Sequence, residues 1–142
     1  MDKASTKNAL LARQIMSHNV LTFVPNVDLA TAKELIEKHE IRHVPIVDTE
    51  STLIGIASET DILKGILRQE KQGKQLVLAD CMSRKVLTAK PEAWIQDIAR
   101  VMVQDRVGCM PVMNDDGKLL GIVTRSDILR TLIFQNHLDM FA

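Results

Sequence analysis

Two short segments of the chain pair a hydroxyl with a carboxylate three residues later. Residues 55–61 read GIASETD and residues 121–127 read GIVTRSD, so the pairs are Ser58 with Asp61 and Thr124 with Asp127. Each segment is predicted to run from a strand into a helix. A carboxylate accepts two hydrogen bonds at once and suits a cis-diol such as ribose. A hydroxyl beside free N–H groups at a helix start suits an anion. The same pattern also caps helices, so both alternatives stay open at this stage.

The sequence offers no pattern typical of catalysis. It contains no GxSxG, P-loop or GxGxxG motif, and no nucleophile, base and orienting residue can be assembled from it. Each paired carboxylate sits where a helix dipole favours a fixed anion, which suits holding a diol better than abstracting a proton. The four histidines lack metal-ligand spacing. We therefore predict that the chain is not an enzyme and requires neither a metal nor a cofactor.

The overall composition restricts the class of protein. The 142 residues include 18 Lys+Arg and 18 Asp+Glu, so a nucleic-acid partner is not expected. Hydrophobic residues make up 46%, enough for a packed core. No apolar run approaches the roughly 18 residues of a membrane span, and residues 1–8 lack the apolar core of a signal peptide. Cys81 and Cys109 show no CxxC spacing, so we expect a cytoplasmic protein with reduced thiols.

The chain repeats itself. Residues 15–67 and 81–133 align without a gap and share 13 identities in 53 positions, where chance gives roughly three. The identical segments are Met16-Ser17 with Met82-Ser83, Val20-Leu21-Thr22 with Val86-Leu87-Thr88, Gly55-Ile56 with Gly121-Ile122, and Asp61-Ile62-Leu63 with Asp127-Ile128-Leu129. This period is too long for one helical hairpin of a solenoid. We therefore predict two supersecondary units packed with pseudo-twofold symmetry.

Each repeat is predicted to contain the same elements in the same order. Periodicity and turn residues predict, for the first repeat, a helix over 27–40 with Asp28 as a candidate cap, strands over 44–47 and 53–57, and a helix over 61–67. For the second repeat they predict a helix over 94–105, strands over 109–113 and 119–123 around a turn at 114–117, and a helix over 126–136. With one further strand before the first helix, the order is strand, helix, strand, strand, helix. This predicts an α/β or α+β fold, with the polar residues 68–77 as a linker.

Together these features resemble the CBS motif, named for cystathionine β-synthase. The resemblance lies in Met-Ser and Val-Leu-Thr before a helix, then HVPIV at 43–47 or CMPVM at 109–113, then the two segments with Ser58, Asp61, Thr124 and Asp127. It covers about 12–67 and 78–133, which leaves 134–142 as a helical tail. It implies two motifs paired into one module, often called a Bateman module. It also implies that AMP, ADP, ATP or a related adenosyl ligand binds in clefts between the motifs, and that two modules form a homodimer.

The resemblance further implies which residues bind the ligand. In the preferred cleft, Asp127 would hold the ribose hydroxyls, Thr124, Arg42 and His43 would meet phosphate, and Thr22, Phe23 and Val44 would border the adenine. The second cleft would combine Ser58, Asp61, Thr88, Ala89, Gly108, Cys109 and Met110.

The two clefts differ in charge, which is the reason for the preference. The first contains Arg42 and Arg125, and a guanidinium pairs with phosphate in a bidentate way. The second has Gly108 at the equivalent of Arg42 and Glu59 at the equivalent of Arg125. Because an acidic residue repels phosphate, we expect the second cleft to be weaker, empty, or suited to a less anionic adenosyl ligand. Arg42 is alternatively an exposed cation at a helix end.

The resulting functional hypothesis is a regulatory module that senses an adenine nucleotide and transmits its occupancy to an effector protein. Residues 1–11 and 134–142 are too short for a further domain, so the effector is expected to be a separate chain or part of a larger protein. Two alternatives stay open. One is a structural homodimerisation module without a physiological nucleotide. The other is a sensor of S-adenosylmethionine, NAD or a cyclic dinucleotide.

Overall fold

The computed structural model describes residues 9–141 of the chain, with side-chain surroundings up to Ile133. The signal-peptide expectation for residues 1–8 therefore lies outside the described residues, as does Ala142. Contacts divide the chain into two compact units. We call residues 20–86 the central unit, and residues 9–19 together with 87–141 the terminal unit. Within the described residues, no helix combines the length and apolar character needed to cross a membrane.

The central unit consists of a helix, a hairpin and a second helix. Helix α2 (Leu29–His39) precedes strands β1 (His43–Val47) and β2 (Leu53–Ser58), and helix α3 (Glu59–Gln72) follows without a break. The strands are antiparallel, with His43 opposite Ser58 and Val44 opposite Ala57. A single 3-10 turn (Leu78–Asp80) closes the unit. Its core is apolar and buried, and it comprises Phe23, Leu29, Ala32, Ile36, Val44, Ile46, Ala57, Ile62, Leu76 and Leu78.

The terminal unit has the same plan with one short helix added at its start. It contains helix α1 (Ala12–Ile15), helix α4 (Ile95–Asp105), strands β3 (Cys109–Met113) and β4 (Leu119–Thr124), and helix α5 (Arg125–Phe141). Strand pairing repeats that of the central unit, with Cys109 opposite Thr124. Its core comprises Ala12, Ile95, Ile98, Met102, Met110, Val112 and Val123. The mixed α/β fold predicted from the sequence is confirmed.

The predicted first strand of each repeat is reduced to a single bridged residue in the structure. In the central unit, Phe23 forms one parallel bridge to Ile46, with Phe23 N–H donating to Pro45 O at 3.1 Å. In the terminal unit, Ala89 bridges Val112 in the same way. Each hairpin therefore remains a sheet of two strands with a single bridged residue at its edge.

A close backbone approach explains the Gly-Ile pair in each repeat. In the terminal unit Ser17 and Ile122 exchange N–H···O bonds of 2.9 and 3.1 Å, and in the central unit Ser83 and Ile56 exchange bonds of 2.8 and 3.0 Å. A Cβ added to Gly121 would lie 2.7 Å from Ser17 O, which is too close for any side chain. Met16-Ser17 therefore packs on β4 of the other repeat.

Helix and turn ends differ from the predictions in a few places. Residues 68–72, predicted as linker, continue helix α3 to Gln72, and helix α5 extends to Phe141. Asp28 occupies the N-cap position of α2 but makes no side-chain cap bond. Both hairpin turns are held alike: Asp48 Oδ1 accepts the N–H groups of Glu50 and Thr52, and Asn114 Oδ1 accepts those of Asp116 and Lys118, each at 2.9 Å. The proposed motif boundaries stay a prediction.

Candidate functional site

The strand–helix junction of the central unit is closed by a reciprocal cap. Ser58 Oγ accepts the Asp61 N–H at 3.0 Å, and Asp61 Oδ2 accepts the Ser58 N–H at 2.9 Å. This arrangement forms because helix α3 begins directly after β2, where its first N–H groups lack helical acceptors. Among the described residues, none donates a hydrogen bond to Asp61 Oδ1, and the Asp61 side chain is half-buried. That oxygen is free to accept from a ligand.

The equivalent junction of the terminal unit is held more tightly. Asp127 Oδ2 accepts the Thr124 N–H at 2.8 Å and the Thr124 hydroxyl at 3.0 Å, and Thr124 Oγ1 accepts the Asp127 N–H at 3.3 Å. Arg130 Nη1 lies 3.3 Å from the other oxygen, Oδ1. Asp127 is 7% exposed, and it is the one buried charged residue of the described part of the chain. Both of its oxygens therefore have partners within the unit.

Backbone contacts bring the start of each hairpin beside its junction. In the central unit, Glu59 N–H donates to Arg42 O at 2.8 Å, and in the terminal unit Arg125 N–H donates to Gly108 O at 3.2 Å. Arg42 and Arg125 are exposed, so their guanidinium groups can meet a solvent-borne anion. In each unit, a backbone hydrogen bond thus joins the residue before strand β1 or β3 to the first residue of helix α3 or α5.

The remaining predicted residues divide between the two units as follows. Thr22, Phe23, His43 and Val44 belong to the central unit with Ser58 and Asp61, whereas Thr88, Ala89, Cys109 and Met110 belong to the terminal unit with Thr124 and Asp127. Phe23, Val44 and Met110 are buried core residues. Thr22 is half-buried and Thr88 is exposed. The predicted grouping of Thr124 and Asp127 with Thr22, Arg42 and their neighbours joins residues of different units and stays a prediction.

Two other kinds of site are not supported by the described residues. A cavity of about 290 Å³ lies at the start of α2 and the end of α3, and none of the predicted site residues lines it. No group of three or more histidine, cysteine or acidic side chains among residues 9–133 is placed to hold a metal ion. The two junctions are therefore the polar features of interest.

One contact of the site was missed by the sequence analysis, namely the ion pair of Arg130 with Asp127. Its signal is present in the sequence, since residues three apart on a helix are neighbours and an acid–base pair at that spacing can form an ion pair. The equivalent residue in the central unit, Lys64, has the same spacing from Asp61. Among the described residues, however, Lys64 forms no ion pair with Asp61.

The Cys109 thiol lies beside the terminal-unit junction but is buried. Its side chain is 6% exposed. Burial raises its pKa to about 12, and the Arg125 guanidinium opposes this only in part. Because the thiolate is the reactive form, Cys109 acts here as a small core residue.

This raised pKa predicts a specific dependence of stability on pH. Above about pH 8.5, where an exposed thiol ionises, the unfolded chain loses the Cys109 proton while the folded chain keeps it. The free energy of unfolding should therefore fall as pH rises, by up to about 2 kcal/mol between pH 8 and pH 10. Urea unfolding of wild type and Cys109→Ala at both pH values measures the effect. A difference between the two proteins that does not change with pH would contradict it.

Comparison with known proteins places this geometry in context. The family model described as "CBS domain" matches residues 12–68 and 78–133. The uncharacterized protein MJ1426 of Methanocaldococcus jannaschii is 30% identical over 87% of this chain and 92% of its own length. Several other curated relatives are longer, and this chain spans less than half of their length.

Solved structures share the fold at similar identity. The CBS domain pair of protein MJ0100, crystallised with 5′-methylthioadenosine and S-adenosyl-L-methionine, matches with a TM-score of 0.80 and 31% identity over 89% of this chain and 98% of that one. CBSX2, of Arabidopsis thaliana, crystallised with AMP, matches with a TM-score of 0.80 and 25% identity over the same shares. Both were thus crystallised with adenosyl compounds.

Proposed function

Because the chain belongs to the CBS domain family, we propose that it is a regulatory module that binds an adenosyl compound at the strand–helix junctions of its two units. The observation that carries this proposal is the half-exposed carboxylate of Asp61, whose Oδ2 is fixed by the Ser58 N–H at 2.9 Å while Oδ1 accepts no hydrogen bond within the described residues. A carboxylate oriented in this way is prepared to accept hydrogen bonds from a ribose diol.

Each group at the junctions receives a role from its chemistry. Each of the carboxylates of Asp61 and Asp127 accepts hydrogen bonds from the ribose hydroxyls of the ligand at its own junction. Ser58 and Thr124 hold these carboxylates in place and present their hydroxyls beside the helix start, where a negative charge is favoured. The exposed cations Arg42 and Arg125 attract the phosphate of a nucleotide.

The charges beside the two junctions support different ligands. Arg125 is the residue after Thr124, whereas Glu59 is the residue after Ser58, and both side chains are exposed. Arg125 therefore attracts a phosphate at the terminal-unit junction, whereas at the central-unit junction Glu59 opposes the attraction that Arg42 exerts. We propose AMP, ADP or ATP for the first and a less anionic compound, such as 5′-methylthioadenosine, for the second.

The state of the polar groups supports regulation and not catalysis as the function we propose. At both junctions the hydroxyl and one carboxylate oxygen form helix caps, and Cys109 keeps its proton, which argues against an activated nucleophile among the site residues. Ligand binding acts by favouring one of two conformational states, for which its affinity differs. An effector protein, or another part of a larger protein, responds to that state.

Calorimetric titration of ligand-stripped protein tests this proposal. We expect saturable binding of AMP and of 5′-methylthioadenosine, and an upward thermal shift of several degrees at 100 times the dissociation constant, where binding adds about 2.7 kcal/mol. Inosine monophosphate, which keeps the ribose and phosphate but not the adenine amino group, serves as a control for base recognition. Properly folded protein that binds no adenosyl compound would contradict the proposal.

A second candidate function, structural homodimerisation, is favoured by a different observation. The last helix of each unit exposes large apolar side chains, namely Leu63 and Leu67 on α3, and Leu129, Leu132 and Ile133 on α5, with exposures between 42% and 65%. Apolar surface of this kind is typical of interaction sites. Sedimentation velocity of wild type and of Leu67→Glu with Leu132→Glu tests it. A dimer that the two substitutions convert to monomer supports it, and a wild-type monomer at all concentrations contradicts it.

A further inference from the structure

We infer that Arg130 sets the ligand preference of the terminal-unit junction, favouring anionic over neutral adenosyl compounds; the inference rests on the proposed function. Arg130 Nη1 lies 3.3 Å from Asp127 Oδ1, and the two side chains are 53% and 7% exposed. A half-exposed cation therefore covers a carboxylate that is otherwise buried.

The ion pair competes with a ligand for one acceptor atom. Asp127 Oδ2 already accepts two hydrogen bonds from Thr124, so a ribose diol must bind mainly at Oδ1. Oδ1 is the atom that Arg130 holds. Arg130 is not needed to orient the carboxylate, because Asp61 is held by the Ser58 N–H alone at the equivalent position. A diol that binds Asp127 consequently displaces the guanidinium.

The cost of this displacement depends on the charge of the ligand. With a neutral ligand, the displaced guanidinium loses its carboxylate and gains only water. With AMP, the 5′-phosphate is attached to the same ribose, within reach of an arginine head group that starts beside the diol-binding atom. The guanidinium then exchanges one anion for another and can pair with phosphate in a bidentate way. Arg130 thus lowers the affinity of the junction for neutral ligands but not for anionic ones.

The central unit provides the internal contrast. Lys64 stands at the position of Arg130, and no ion pair between Lys64 and Asp61 forms among the described residues. The Asp61 carboxylate is open without displacement of a cation. Its neighbour Glu59 disfavours phosphate. The two junctions therefore favour opposite ligand classes.

Titration in an Asp61→Ala background, where only the Asp127 junction remains, tests the inference. AMP and 5′-methylthioadenosine are titrated into Asp61→Ala and into Asp61→Ala with Arg130→Met, which keeps an apolar side chain. Because a partly exposed ion pair contributes little, we expect methylthioadenosine to bind about 2- to 5-fold more tightly without Arg130 and AMP to bind about 2- to 5-fold more weakly. The ratio of the two dissociation constants should change by about tenfold. Lys64→Met in an Asp127→Ala background is the matched control, and its ratio should change by less than about twofold.

The outcomes separate this inference from the proposed function. If wild type binds neither ligand, the proposed function fails. If wild type binds but Asp61→Ala does not, the proposed function survives and the inference is wrong, since the Asp127 junction takes no ligand. The inference is also wrong if Arg130→Met leaves the ratio of the two dissociation constants unchanged, whether both affinities stay intact or fall by the same factor. A thermal scan of each variant checks that it is folded. Because the Arg130 side chain is 53% exposed, its replacement should not prevent folding.

Discussion

Replacing Asp61 and Asp127 together by alanine should remove adenosyl binding from a chain that still folds. Each carboxylate supplies charge-assisted hydrogen bonds to the ribose diol, and such bonds contribute about 1.5–3 kcal/mol each. Single replacements should weaken binding at their own junction by about 10- to 100-fold. Calorimetry of wild type, both single variants and the double variant measures this directly.

The control for this prediction must lose a structural carboxylate without touching a junction. Asp48 fits, since its Oδ1 accepts the N–H groups of Glu50 and Thr52 at the first hairpin turn, each at 2.9 Å. Losing a cap or turn bond of this kind costs about 1 kcal/mol of stability, so Asp48→Ala should lower stability as much as Asp61→Ala and leave affinity unchanged. If Asp48→Ala and the junction variants weaken binding equally, the carboxylates act through stability and not through contact.

Replacing Gly55 and Gly121 together by alanine should cost about 2–6 kcal/mol of stability. A Cβ on Gly121 would lie 2.7 Å from Ser17 O and 2.8 Å from Met16 Sδ, and one on Gly55 would lie 2.7 Å from Met82 Sδ and 3.0 Å from Ser83 O. Backbone oxygens cannot move aside by a rotamer change. The segments Met16-Ser17 and Met82-Ser83 must therefore shift, and their hydrogen bonds to β4 and β2 must lengthen. Each substitution alone should cost about 1–3 kcal/mol, and the two costs should add because they fall in separate units.

Gly73→Ala is the comparison for the glycine variants. Gly73 ends helix α3 with φ of 63° and has no atom within 4 Å of an added Cβ. It should therefore show only the conformational cost of a left-handed residue, about 1 kcal/mol. Urea unfolding gives all four values. A Gly121→Ala protein no less stable than Gly73→Ala would show that the Met16-Ser17 segment is free to move, contrary to the contacts described.

The hairpins and junctions were predictable because their signals are local. Three features arise from residues within four positions of one another. They are the turn at Asn114–Gly117, the buried proline-containing strands β1 and β3, and the Ser/Thr-x-x-Asp caps. Gly117 has φ of 79°, and Ser51 takes the equivalent conformation at 65° without glycine. The turn geometry is therefore set by the Asp48 or Asn114 side chain as well as by the residue in the left-handed region.

The pairing of Met16-Ser17 with β4 was not predictable for a physical reason. Both repeats contain Met-Ser and both contain Gly-Ile, so either pairing satisfies the pattern of small and apolar residues. The Arg130–Asp127 ion pair shows the same limit, because Lys64 and Asp61 carry the same charges at the same spacing. The reduced first strand has another cause. Only Phe23 and Ala89 reach a hydrogen-bonding position, although the flanking β-branched residues favour a longer strand.

A two-dimensional amide NMR titration of the ligand-stripped protein with AMP and with 5′-methylthioadenosine tests directly whether the two junctions bind adenosyl compounds. We expect saturable shifts at the amides of residues 58–61 and 124–127, because the ligand binds carboxylates that the Ser58 and Thr124 N–H groups hold in place. AMP should act most strongly at 124–127 and methylthioadenosine at 58–61, while the hairpin turns at 48–51 and 114–117 stay unchanged. Shifts confined to other parts of the chain, or no shifts at saturating ligand, would contradict the assignment of the junctions as the adenosyl site.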